Sequence, residues 1–375
     1  MAESDQLGVL EVLGNGAGFV RRKKDAYLAG KSDVYVGRRL IDRYGLRTGD
    51  GIAGEVGKPG KRGKSPRVVR IDSVNGLKPE EIADRGEFTK LRAVHPDEQL
   101  VLDCGLMRRG APDYTNRIID LFCPFGKGQR SLIVAPAKAG KTMVLQAIAE
   151  GVVANNPQCT LLILLIDERP EEVTEMESCG FGEVVASSFD QPAERHVAVA
   201  EMTLQRARRR VEQGEDVVLI LDSITRLARA HNTVELGSGR TLSGGLDANS
   251  LEKPKRFLGS ARKIDAMHGG GSLTIVGTTL VDTGSRMDQV IFEEFKGTGN
   301  SELVLNRELA ERRIFPAIDL NSSATRREEL LLSEEALAVS NGIRRQLAGL
   351  SPMDQMNTVL SYMKETASNA ELVGS

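Results

Sequence analysis

The chain has 375 residues, of which 40% are apolar and 27% charged, and its 50 Lys and Arg against 52 Asp and Glu leave a net charge of −2. Those numbers exclude a single small domain, a uniform polybasic coat and an acidic disordered tail. The four Cys form no Cys-x-x-Cys pair and the four His are scattered, which speaks against a disulfide scaffold or a Cys-rich zinc site and fits a reducing compartment. The longest apolar runs fall far below the ~18 residues of a membrane span. No basic-then-apolar signal pattern opens the chain. A cytoplasmic protein without membrane contact is expected.

Residues 7–76 read as five short strands, Leu7–Leu13, Gly18–Arg21, Asp33–Val36, Gly51–Val56 and Arg67–Val74, with turn chemistry at Gly14–Gly16 and Gly49–Gly51. Five strands in so short a stretch suit a small β-barrel. Lys58–Lys64 is a Gly/Lys/Pro loop, and Lys78–Lys90 reads as a polar linker. Residues 1–75 carry 15 Lys and Arg against 9 Asp and Glu. A basic front end on a mildly acidic body fits contact with a polyanion, and it fits a solvated face as well.

From about Leu121 the pattern changes. Apolar runs Ser131–Pro136, Thr160–Asp167, Glu183–Asp190, Asp216–Asp222 and Ser272–Leu280 alternate with helical segments Lys141–Ala154, Arg195–Glu212 and Leu251–Met267. Continuous apolar strands separated by amphipathic helices predict a mostly parallel α/β sheet. Ser351 and Pro352 start a further helix, and Thr366–Ser375 is expected to fray. The organisation expected is a barrel over 1–76, a connector over 77–120, and an α/β domain with C-terminal helices over 121–375.

The strongest chemical signal is Ala135-Pro136-Ala137-Lys138-Ala139-Gly140-Lys141-Thr142, between a strand and the helix that starts near Met143. It matches the phosphate-loop pattern Gly-x-x-x-x-Gly-Lys-Ser/Thr with Ala135 in the first glycine's place. Small residues let backbone N–H groups curl around phosphate oxygens, and the helix N-terminus adds positive potential. Lys141 would reach the β and γ phosphates of ATP, and the Thr142 hydroxyl would ligate Mg²⁺. Asp222 ends the apolar run Val217–Leu221 and would hold the Mg²⁺ water shell. Glu168, in Asp167-Glu168-Arg169, ends another, where ligands of open α/β sheets gather. There it could polarise an attacking water or pair with Arg169.

Other residues stay open on spacing alone. Arg326 stands among Arg327, Glu328 and Glu329, a pattern common to helix-surface pairs. Gly237–Gly245, Asp282–Arg286 and Lys296–Asn300 are Gly-rich polar segments that could contact a phosphate backbone or be surface loops. Phe19 and Tyr35 lie near Arg21–Lys24, a recipe for stacking on single strands, though each ring also suits a barrel core.

The stretches Leu132–Thr142, Leu164–Met176, Asp222–Ala230, Asp282–Met287, Glu293–Asn300 and Arg313–Asp319 together resemble the bacterial transcription termination factor Rho family, RNA-dependent hexameric ATPase helicases. The resemblance implies a RecA-like P-loop ATPase core behind a small all-β OB-fold of the cold-shock kind. It makes Glu168 the water-activating carboxylate, with Arg169 beside it in the catalytic set, and Lys138 and Lys141 the phosphate lysines. Thr142 and Asp222 become the Mg²⁺ pair. Arg326 becomes an arginine finger offered to the neighbouring subunit, a role worth ~10³–10⁵ in turnover elsewhere. Arg313 would be a second trans contact, and Phe315 would stack on adenine. Arg240, Thr241, Leu242 and Ser243, with Arg286 and Lys296, would grip RNA in the pore of a homohexameric ring. The function implied is 5′-to-3′ RNA–DNA unwinding driven by ATP, which ends transcription by dissociating RNA polymerase, in concert with its elongation factors.

Two departures from the family pattern stand out. About six residues precede Leu7, where members carry a helical segment, so the chain is either naturally short there or trimmed. The family's Gly-Phe-Gly-Phe stacking motif reads Gly16-Ala17-Gly18-Phe19, and Ser65-Pro66 stands where members place a Tyr-Phe pair. With aromatic stacking worth ~1–3 kcal/mol per base, weaker cytosine selectivity and a steeper salt dependence are expected. Competing readings are a rotary or secretion ATPase whose β-domain is an assembly collar, and a nucleotide-gated RNA-binding ring with little translocation.

Overall fold

The computed structural model describes residues 6–59, 65–82, 84–235, 245–247 and 249–374. Strands β1 (Gln6–Val12), β2 (Gly18–Arg21), β3 (Val34–Val36), β4 (Gly51–Val56) and β5 (Val68–Val74) form a sheet in the order β3-β2-β1-β4-β5, with helix α1 (Arg38–Tyr44) between β3 and β4. An isolated bridge between Tyr35 and Arg67 brings β3 back against the start of β5 and closes the barrel. Its core is Leu10, Val20, Val34, Val36, Ile52, Val68, Ile71 and Val74, the inward-facing half of each alternating strand.

The segment read as a linker is packed, not free. Ile82 and Phe88 are buried, and the Phe88 N–H donates to Glu212 at 2.8 Å. A short strand β6 (Ala93–Val94), a hairpin of β7 (Met107–Arg108) and β8 (Ala111–Pro112), and helix α2 (Thr115–Phe122) lead into the second part. Polarity misled here because Arg85 turns inward, while Glu87 and Lys90 pair with each other at 2.8 Å on the outside. Arg85 meets Asp50 at 2.6 Å and Glu212 at 3.3 Å.

The α/β part runs β9 (Arg130–Pro136), α3 (Lys141–Asn155), β10 (Thr160–Glu168), α4 (Pro170–Cys179), β11 (Glu183–Ser188), α5 (Ala193–Val211), β12 (Asp216–Asp222) and α6 (Ile224–Glu235). It continues through α7 (Glu252–Leu258), β13 (Arg262–Ile264), β14 (Ser272–Val281), α8 (Arg286–Lys296), β15 (Ser301–Val304), α9 (Arg307–Glu311) and β16 (Ala324–Thr325). Helices α10 (Glu334–Leu347), α11 (Pro352–Glu365) and α12 (Asn369–Gly374) end the chain. The sheet order is β11-β10-β12-β14-β9-β15-β16, parallel from β11 to β15. Strand β10 shows why its sequence is apolar throughout. Leu161, Ile163 and Leu165 pack into one layer, and Leu162, Leu164 and Ile166 into the other.

Two sequence expectations are corrected. The helix expected over Leu251–Met267 stops at Leu258, because Arg262–Ile264 is taken as a strand between β14 and β6. The tail does not fray. The Arg117 guanidinium donates to the carbonyls of Met363, Thr366 and Ser368, and α12 follows. Ser351 does cap α11, its hydroxyl accepting from the Asp354 N–H.

Candidate functional site

The site lies where parallel strands β9, β10 and β12 end. Strand β9 delivers Ala135 and Pro136, and the chain turns through Ala137, Lys138 and Ala139 into α3. Ala135 is buried and still in the strand, outside the residues with positive φ, so no glycine is needed there. The tight turn falls later, at Lys138 (φ 66°) and Gly140 (φ 88°). At Gly140 the positive φ is what favours glycine, and the Phe315 ring lies beside it at ordinary contact distance.

Lys141 opens α3 and turns across the sheet. Its ammonium donates to Glu168 at 3.1 Å and to Asp222 at 2.6 Å. Asp222 is steadied by the Thr278 hydroxyl at 2.7 Å. Burial works against the Lys141 charge, but the Asp222 and Glu168 carboxylates outweigh it and hold the ammonium above its ordinary range. One cation between two carboxylates leaves one of them under-compensated. Burial, with Asp222 beside it, pushes the Glu168 carboxyl up to about 7. Arg226 of α6 completes the cluster, 3.3 Å from Glu168 and 2.8 Å from Asp167.

Thr142 follows Lys141 in the first helical turn, and Asp222 ends the strand facing it. A hydroxyl, one or two carboxylates and phosphate oxygens are the hard donors Mg²⁺ takes. Among the described residues no three His, Cys, Asp or Glu side chains gather as a protein-only metal cage, which is the usual situation for Mg²⁺ shared with phosphates. The residues present fit the ion.

Beside the loop is a cavity of about 160 Å³ lined by Arg108, Tyr114, Gly140, Met143, Val144 and Phe315. A half-buried ring and apolar side chains next to a phosphate loop suit a flat heterocycle. Arg313 is exposed at the entry to this segment, with positive φ.

Other predicted residues lie elsewhere. Arg169 caps α4 on the outside, 67% exposed and 3.8 Å from Glu172. Arg326 is exposed, and its strand is far from the loop. Thr325 pairs with Ser301, which pairs with Ser131 near the start of β9. Five residues of strand, roughly 16 Å at ~3.3 Å each, separate that point from Pro136. Arg326 shares a small cavity with His95, Arg130 and Asn300 and does not meet Lys141. Arg286 and Lys296 occupy opposite ends of α8, about 15 Å apart at ~1.5 Å per residue, so they form no single cluster. Arg240, Thr241, Leu242 and Ser243 lie outside the described residues.

In the barrel, Phe19 and Tyr35 are half-buried neighbours across β2 and β3, edge to face at 5.7 Å. Arg21 does not offer a spare charge. It is buried, donates to Glu11 at 2.6 Å and also pairs with Asp33, while its guanidinium lies 5.0 Å from the Phe19 ring. It sets the ring's position.

Sequence reasoning assigned no role to Arg226, Thr278 or Tyr114. Arg226 lies four residues beyond Asp222 on a helix that also bears Arg229, and alternate arginines on a helix read as solvent-facing.

Comparisons with known proteins bear on both parts of the chain. A model described as the ATP synthase alpha/beta family, nucleotide-binding domain, matches residues 115–325. One described as the Rho termination factor, RNA-binding domain, matches residues 6–80. A Gemmatimonas aurantiaca protein named transcription termination factor Rho is 54% identical over 356 residues, covering 95% of this chain and 48% of that one. The Pseudomonas aeruginosa protein of the same name is 51% identical over 368 residues, covering 98% and 87%. The chain thus spans about half of the first relative and most of the second. Among solved structures, a prototypical ATPase from the type III secretion system of pathogenic bacteria is 24% identical with a TM-score of 0.59, covering 75% of this chain and 85% of that one. That likeness bears on the fold.

Proposed function

Because this chain belongs to the transcription termination factor Rho family, we propose that it is an RNA-driven ATPase that moves along single-stranded RNA and ends transcription by freeing the transcript from RNA polymerase. The observation that carries the reading is the convergence of Lys141, Glu168 and Asp222 at the ends of three strands beside a phosphate loop. The barrel with its paired rings supports the RNA half of it.

In the proposed cycle the loop N–H groups and the α3 N-terminus receive the phosphates. Lys141 leaves the carboxylates for the phosphate oxygens. Thr142 and Asp222 would hold Mg²⁺, which when bound neutralises charge on the β and γ phosphates. Glu168, released from Lys141 and still held by Arg226, orients the attacking water and takes its proton. Phe315 packs against the base. Arg169 lies outside this set.

Arg326 is remote from its own loop and exposed, and among the described residues its charge is felt by Glu302 across the sheet edge, not by Lys141 or Glu168. That arrangement supports a finger offered to a neighbouring copy, with sites completed between subunits of a ring. Arg313 is assigned the same trans direction. RNA would lie first across Phe19 and Tyr35 of the barrel, taken as the unit before residue 77, and then contact Arg286, Lys296 and the 240–243 segment. Among the described residues no helix is long and apolar enough to cross a membrane, and a cytoplasmic site of action is part of the proposal.

The test is ATP hydrolysis with and without poly(C) or poly(U), with Lys141→Ala as the blank. Strong stimulation by RNA, abolished in the variant, is expected. Hydrolysis indifferent to RNA would favour an assembly ATPase.

A further inference from the structure

Strand register aligns four side chains in one row across the barrel. Glu11 stands opposite Phe19, Phe19 opposite Tyr35, and Tyr35 opposite Arg67. The row reads acid, ring, ring, base. At the acid end the charge is spent, because Glu11 is bound by the buried Arg21, which Asp33 also holds. At the base end it is not. Arg67 is exposed, and its guanidinium has no hydrogen-bond or ion-pair partner among the described residues.

Nearby arginines differ. Arg70 is paired with Asp72 at 2.6 Å and faces Glu55 at 3.7 Å, and Arg38 is paired with Asp42 at 3.2 Å. Arg67 instead rests on bare backbone. Its guanidinium lies over Gly37 at the end of β3, where a Cβ would stand 3.0 Å from its Nη2. Its backbone is fixed there too, since the Gly57 N–H donates to the Arg67 carbonyl at 2.8 Å and the Tyr35 N–H to that of Pro66 at 2.8 Å.

We infer that Arg67 is a phosphate contact for single-stranded RNA, placed at the rim of the Phe19–Tyr35 pair, and that it makes this chain's outer RNA site more electrostatic than a fully aromatic one. The inference rests on the RNA-binding reading above. Two half-buried rings offer faces to bases of any sequence, and the strand's backbone must then pass one edge of the pair. On the Glu11 side that edge is acidic and already neutralised. On the Arg67 side it holds an unpaired cation. Ala17 and Ser65 add no ring of their own. Stacking depends little on salt, whereas each phosphate neutralised on a single strand adds about −0.7 to the slope of log K against log salt.

The test is binding of labelled oligo(C) and oligo(U) to the full chain without nucleotide, from ~50 to ~200 mM salt, for the native protein, Arg67→Ala and Arg67→Lys. Arg67→Ala is expected to bind both RNAs more weakly and to flatten the slope by about 0.7, equally for the two. Arg67→Lys is expected to keep the native slope. A slope that Arg67→Ala leaves unchanged, in a native chain that does bind RNA, overturns this inference alone. A native chain that binds neither RNA overturns the functional reading and takes the inference with it. Since Arg67 is exposed and makes no side-chain bond among the described residues, thermal unfolding of the variants should match the native chain and exclude a folding artefact.

Discussion

Lys141 is the hinge of the site at the scale of single residues. Its ammonium bridges the Glu168 and Asp222 carboxylates, and in the proposed cycle it moves from them to the phosphate oxygens. In that proposed cycle Glu168 is the base that takes the proton of the attacking water. Glu168→Gln keeps the shape and removes the base. It should bind a fluorescent ATP analogue as the native chain does and lose about 10²- to 10⁴-fold in RNA-stimulated turnover. Turnover within tenfold of native would remove Glu168 from that role. Lys141, Asp222 and Glu168 were legible in the sequence because each closes an apolar run or follows one, where a parallel sheet places its ligands. Arg226 and Thr278 were not. Their contacts to Glu168 and Asp222 depend on how a helix and a strand distant in sequence pack beside those strand ends.

At the scale of elements, α6 joins the catalytic cluster to a candidate RNA loop. One turn carries Arg226 to Glu168 and Asp167, and the next carries Arg229, which grips both oxygens of Asp288 at 2.7 and 2.6 Å. Asp288 also receives the Thr283 hydroxyl at 2.6 Å, so the Asp282–Ser285 loop is anchored to the same helix. A shift of that loop has a rigid path to Glu168. Arg229→Ala should lower the stimulation of hydrolysis by RNA at least several-fold while leaving hydrolysis without RNA near native. Equal loss of both rates would point to a damaged site, and stimulation unchanged from native would refute the path. The strands were read well because a continuously apolar run can be buried only within a layered sheet. The region after Leu251 was not, because Arg262–Ile264 is too short and too polar to announce itself. It becomes a strand only through partners at Ala93–Val94 and Ser272–Leu273.

For the whole molecule, barrel and ATPase parts are bolted together by buried ion pairs. Glu212 of the ATPase part meets Arg47 at 3.0 Å, Arg85 at 3.3 Å and Arg209 at 3.0 Å. Tyr27 of the barrel donates to Glu183, which also takes Arg206 at 2.6 Å. Glu212→Gln leaves the buried Arg209 guanidinium without its paired carboxylate, while Arg85 keeps Asp50, and should cost up to about 3–5 kcal/mol, read as a lowered denaturation midpoint. A midpoint unchanged from native would show that the interface is held by its apolar contacts. None of this was legible from the charge count, which read the front end as a basic patch. Many of its bases are already engaged.

Stability should also depend on pH through Asp120. Burial pushes its carboxyl up to about 8, against the pull of backbone N–H donors from Asp103 and Leu102. Unfolded, the group titrates near ~3.9. The folded state therefore holds a proton that the unfolded state lacks between those values. The group's contribution is full below the unfolded value and is lost as pH rises through about 8. Its slope can reach ~1.4 kcal/mol per pH unit. Asp120→Asn should remove that slope from the difference between variant and native across neutral pH, and parallel curves would contradict the assignment.

In the proposed function, hydrolysis moves RNA. The most direct measurement is release of RNA from an RNA–DNA hybrid carrying a 5′ single-stranded tail, with ATP, with a non-hydrolysable analogue, and with Lys141→Ala. Release is expected with ATP alone and not with the analogue or the variant. RNA-stimulated hydrolysis that leaves the hybrid intact would contradict it, and would make the protein a nucleotide-gated RNA-binding ring.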